Sequence, residues 1–144
     1  MKLSVKYSDN SRNIPLDAHT VRQLVSLVCQ GEHIEREEIT IIFINSTKME
    51  QLNAQFLNHH YPTDVLSFIL NEPGKHLEGE VYVCPETARK QAVEYNVPVC
   101  EELMRLVIHG ILHLAGYDDT TNKDRKKMLE KGDTYLSEFI HRVC

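Results

Sequence analysis

Hydrophobic residues recur along the chain in blocks whose period switches between two and about three and a half, and each switch marks an element. Residues 2–8 alternate as a strand does. Residues 17–30 carry a helical stripe of Val21, Leu24, Val25 and Val28, closed by Gly31. Residues 39–44 form a β-branched run suited to a buried central strand. The spacing Thr47-x-x-Glu50 reads as a capping box that opens a helix through about Asn58. Residues 64–70 predict a strand with Val65, Ser67 and Ile69 on one face and Leu66, Phe68 and Leu70 on the other. A turn-rich segment, 71–79, leads to a short strand over 80–84. Pro85 then starts a helix over 86–95, a further helix runs from Glu101, and a terminal helix begins near Asn122. The order predicts an α+β fold, a mixed sheet of about four strands covered by helices, with 1–144 forming a single domain.

The helix from Glu101 departs from an amphipathic pattern. Leu103, Met104, Leu106, Val107, Ile108, Ile111, Leu112 and Leu114 make it apolar nearly all round, which predicts burial, yet it carries His109 and His113. Four residues apart, the two imidazoles share one helix face and can reach one point. Gly116 tolerates the left-handed conformation that ends a helix, with Tyr117 packing back on Leu112, so the chain returns Asp118 and Asp119 toward the histidines. His109, His113 and Asp119 would leave a fourth tetrahedral position open, as in a catalytic zinc site. The plain alternative is a pair of hydrogen-bonded core histidines; a shared metal satisfies both rings at once. Asp118 is the candidate to orient an imidazole or the metal-bound water. The spacing H-x-x-x-H-x-x-G-x-x-D is that of metzincin-type peptidases, but Gly110 stands where those enzymes carry the glutamate base. A metallopeptidase is therefore disfavoured, and the general base is left unassigned.

Composition narrows the function classes. A formal charge of −5 and a pI near 5.9 exclude a protein that coats nucleic acid nonspecifically. The cationic cluster Lys123, Arg125, Lys126, Lys127 and Lys131 follows the histidine motif and reads either as a phosphate-holding surface or as a solvated helix face. No apolar run reaches the roughly 18 residues needed to span a bilayer, and the first residues alternate instead of forming a signal-peptide core, so a cytoplasmic protein without membrane partners is expected. The four cysteines lack C-x-x-C spacing; free thiols are expected, with Cys84 and Cys100 as core fillers.

The run His109-Gly-x-x-His113-x-x-Gly116-Tyr117-Asp118 resembles the YbeY family of metal-dependent endoribonucleases, bacterial and organellar factors in ribosomal RNA maturation. Leu52-Asn53, followed by Pro62-Thr63-Asp64-Val65-Leu66-Ser67-Phe68, is similar to a second block of that family, and Gly79-Glu80-Val81 is similar to a third. The resemblance covers about residues 46 to 119. It implies a metal-dependent hydrolase acting on RNA, with ribosomal RNA precursors and ribosomal particles as partners. Zinc, one ion per chain, is the expected cofactor, with another divalent transition metal as the alternative. Ser67, Asp64 and Arg105 are the candidate substrate-binding residues. Ser67 either faces the cleft or pairs within the sheet, Asp64 either orients a ligand or caps the turn after Pro62, and His59 and His60 read as exposed loop residues. The chain departs from the family pattern in having Asp119 for a histidine, Leu57 for an arginine and His60 for an aspartate. The missing arginine and the changed third ligand motivate a rival reading, a ribosome-assembly binding protein with a structural metal and impaired catalysis.

Overall fold

Four strands and five helices follow one another, among the described residues, in the order that the periodicity predicts: β1 (Lys2–Tyr7), α1 (Ala18–Gly31), β2 (Glu38–Phe43), α2 (Ser46–Leu57), β3 (Val65–Ile69), β4 (Glu78–Val83), α3 (Pro85–Tyr95), α4 (Val99–Leu114) and α5 (Asn122–Phe139). This computed structural model describes residues 2–8, 14–34, 38–57, 64–71 and 77–140, the side chains of Phe56 and Leu57 excepted. The sheet order is β1-β2-β4-β3. β1, β2 and β4 pair in parallel, and β3 runs antiparallel to β4, with Val65 opposite Val83 and Ile69 opposite Gly79. A short connection suffices for the antiparallel pair, whereas the parallel pairs need the helical crossovers that the chain supplies.

Period-two alternation divides the sheet into two apolar faces. Ile39, Ile41 and Phe43 of β2 and Val81 and Val83 of β4 join Val21, Leu24, Val25 and Val28 of α1 and most of α4 in one core. On the opposite face Ile42, Leu66, Phe68 and Tyr82 pack with Met49 and Leu52 of α2. Helix α4 is in contact with α1, α3, α5, β3 and β4 at once, which is why its sequence is apolar almost all round.

Local details differ from the sequence expectations. Helix α2 is capped by Asn45, whose Oδ1 accepts from Lys48 N at 2.8 Å, and not by Thr47; either residue type can cap, and the one whose backbone is still extended wins. Asp17 caps α1, accepting from Thr20 N at 2.7 Å. Gly31 is the last residue of α1, and the left-handed conformation falls on His33, at φ 57°. A Cβ at Gly31 would overlap the Tyr135 ring, so that glycine provides space, not a turn. β4 starts at Glu78 and α4 at Val99, two residues earlier than expected in each case. Cys29 and Cys84 are free and buried as expected, whereas Cys100 is disulfide-bonded instead of a free core filler. His59, His60 and Pro62 lie outside the described residues. No described helix is long and apolar enough to cross a membrane.

Candidate metal centre

From Glu101 onward the half-buried positions of α4 form one narrow stripe with a four-residue period: Glu101, Arg105, His109 and His113. The Nε2 atoms of His109 and His113 stand 3.1 Å apart, with their rings nearly perpendicular at 83°. Asp119 Oδ2 lies 4.0 Å from His109 Nε2 and 3.8 Å from His113 Nε2. Tetrahedral zinc with bonds of about 2.0–2.1 Å holds its donors roughly 3.3 Å apart. The imidazole pair is already near that separation, and the carboxylate needs to close by only about half an ångström. Among the described residues these three form the cluster of His, Cys, Asp or Glu able to hold a metal ion.

The carboxylate reaches this point through hydrogen bonds along a loop. Gly116, at φ 103°, has nothing within 4 Å of where its Cβ would stand, so the backbone conformation is what calls for glycine. Its N–H donates to His113 O at 3.1 Å and that of Tyr117 to Leu112 O at 3.0 Å, closing α4 as expected. Asp118 then folds the chain over its own carboxylate, which accepts from Asp119 N at 2.7 Å, Thr120 N at 3.1 Å and Thr120 Oγ1 at 3.0 Å. The hydrogen bond from the Thr120 hydroxyl, with those from backbone N–H groups, holds the Asp118 carboxyl below its usual range. The Asp118 carboxylate is thus engaged by the backbone N–H groups of Asp119 and Thr120. Thr121 caps α5, accepting from Asp124 N at 3.0 Å, and Arg125 Nη2 donates to Asp119 O at 3.4 Å.

Burial, followed by the proximity of His113, depresses the His109 pKa. The ring is therefore neutral near pH 7 and keeps a lone pair, the form that binds metal. One turn before it, Arg105 donates through Nε at 3.0 Å and Nη2 at 2.7 Å to Glu102 Oε1, and its guanidinium lies 5.0 Å from the centre of the Tyr95 ring. Glu102 is 1% exposed; burial pushes its carboxyl up, and Arg105 counters that. Asp64 accepts from Gln91 Nε2 at 3.2 Å and, through its carbonyl, from Cys84 N at 3.0 Å, while its charge acts on His109 and Glu102.

Ser67 turns toward the ligand helix instead of pairing within the sheet. Its hydroxyl crosses from β3 to α4 and donates to Gly110 O at 2.9 Å. The helix is pressed to the sheet there: a Cβ on Gly110 would overlap Val81 Cγ1 and stand 3.2 Å from Val65 Cγ2. The position after the first histidine therefore has no room for a glutamate. Sequence reasoning missed Glu102, although an acid at a core position three residues before an arginine signals a buried pair.

Comparisons with known proteins agree with one another. The sequence model described as Endoribonuclease YbeY matches residues 5–140. A protein named Endoribonuclease YbeY from Chloroherpeton thalassium is 37% identical over 126 residues, covering 88% of this chain and 89% of the relative. One from Salinibacter ruber is 37% identical over 146 residues, covering 96% and 92%. A solution structure of a Thermotoga maritima protein superposes with a TM-score of 0.69 at 32% identity, covering 97% of this chain and 90% of the other.

Proposed function

The chain belongs to the YbeY family of endoribonucleases, and on that premise we propose that it is a cytoplasmic, zinc-dependent endoribonuclease acting on ribosomal RNA precursors in ribosome maturation and quality control. The observation that carries the metal part is the convergence of His109, His113 and Asp119 on one point. A divalent ion bound there supplies Lewis acidity toward a phosphoryl group and toward water. Two imidazoles and one carboxylate suit zinc, with another divalent transition metal as the alternative.

The remaining roles fall to the chain's own residues. Arg105 shares the stripe with the histidines, and its guanidinium, held by Glu102 on one side and Tyr95 on another, keeps donors for a phosphate of the RNA. That cation stands in for the arginine that the family carries at the position of Leu57. The exposed Lys123, Lys126 and Lys127 of α5 follow the loop in sequence and offer cations to phosphates, so RNA contact is local, as the overall charge of −5 requires. Asp64, just before β3, and Ser67 within it support the site, Ser67 by fixing the ligand helix. These roles sit within one catalytic domain over 1–144.

Single-turnover cleavage of a structured ribosomal RNA fragment tests the proposal, comparing the zinc-loaded protein with a chelated sample and with His113→Ala. Cleavage in the loaded wild type alone is expected. Cleavage that survives both controls would overturn it. RNA binding without cleavage would favour the second reading, a binding protein with a structural metal, which the loss of arginine at Leu57 supports. In that case Leu57→Arg restores turnover if the missing cation is the cause, by roughly a hundredfold or more.

A further inference from the structure

Tyr95, the last residue of α3, is 53% exposed even though its ring meets Arg105. The guanidinium carbon stands over the ring, 5.0 Å from its centre and within the range of a cation–π contact, so one face of the ring is covered and the other is open. The guanidinium is itself held in place, because the buried carboxylate of Glu102 accepts from Nε at 3.0 Å and from Nη2 at 2.7 Å. Ring and guanidinium thus form one preorganised surface, an open aromatic face beside a fixed cation.

That surface adjoins the metal centre. Arg105 precedes His109 by four residues, about 6 Å along the helix axis, and the two line one cavity with Leu129 and Gly132 of α5. At about 20 Å³ the cavity is too small to take a nucleobase, so a base beside the site has to lie on the open surface. We propose that Tyr95 is a stacking platform for an unpaired base of the RNA, on the nucleotide whose phosphate meets Arg105. An aromatic face accepts any base, since every base has a π face, whereas a paired base is already stacked within its duplex and has no face to offer. The platform therefore selects single-stranded RNA without selecting its sequence. The inference rests on the reading of the chain as a ribonuclease with Arg105 on a phosphate.

The test uses the zinc-loaded protein with a single-stranded RNA oligonucleotide, a duplex RNA and inorganic polyphosphate. The chain has no tryptophan, so Tyr95→Trp places a single indole fluorophore at the platform. Its emission should be quenched by the single-stranded oligonucleotide and by neither the duplex nor polyphosphate. In single-turnover cleavage, Tyr95→Ala should raise the half-saturating concentration for single-stranded RNA about tenfold, with zinc affinity unchanged, and Tyr95→Phe should recover what the alanine variant loses. Arg105→Gln, whose amide still donates to Glu102, separates stacking from support of the guanidinium: in that background Tyr95→Ala should again weaken binding about tenfold. A loss that vanishes there would overturn the proposal, as would quenching by polyphosphate. RNA cleavage indifferent to Tyr95→Ala would reject the platform alone, whereas a wild type that holds zinc yet neither binds nor cleaves RNA would reject the ribonuclease reading and the platform with it.

Discussion

The two sides of the metal centre are built by different means. The histidines come from a helix enclosed by two strands and three helices, so their spacing is set by helix geometry and their place by close packing. Asp119 comes from a loop whose position depends on individual hydrogen bonds, those that the Asp118 carboxylate accepts from Asp119 and Thr120 and the one that Arg125 donates to Asp119 O, and its side chain is 44% exposed. The helical half is rigid because moving it disturbs the core. The loop half is adjustable because moving it costs about one hydrogen bond at a time.

Substitutions can break this contrast. His113→Ala has the largest expected effect: with one of three protein ligands gone, elemental analysis of the purified protein should find no retained zinc, while the fold persists by circular dichroism. Asp119→Ala should weaken zinc binding by more than about a hundredfold, whereas Asp119→His should retain the ion, because the exposed loop can admit a larger donor. Retention by the histidine variant and not by alanine would show that the loop half tolerates exchange of donors. Gly110→Ala probes the rigid half. Its methyl group must displace Val81, so chemical denaturation should show a loss of about 1–3 kcal/mol. A neutral result would mean that the helix is less tightly held than its packing indicates. Ser67→Ala is the mildest, removing one bond between β3 and α4 at about 0.5–1.5 kcal/mol of unfolding free energy, with zinc affinity barely moved.

The same contrast explains what could be read in advance. Element order was legible because apolar spacing reports which face of each segment is buried, and the buried helix stood out because its stripe closes on itself. The Gly116 closure was legible too, since it depends on neighbours within one turn. What escaped depends on residues distant in sequence: Gly110 against Val81, Ser67 on Gly110, and Glu32 reached by Tyr135 from 103 positions away. A glycine in sequence does not disclose whether it relieves the backbone, as at Gly116, or makes space, as at Gly31 and Gly110. The cap of α2 escaped for a local reason, as Asn45 and Thr47 are both competent and only the path of the chain chooses between them.

One feature of α4 has an electrical consequence. The histidines occupy the last two turns of a sixteen-residue helix, whose carboxyl end carries the equivalent of about half a negative charge. Asp118 and Asp119 stand beside it. Without a cation, this pole repels a polyanion such as RNA, and the repulsion is strongest where the backbone of the substrate would have to lie. On the proposed function the site would take the cation first and the phosphate chain second, and rising ionic strength would relax that order as counterions screen the pole.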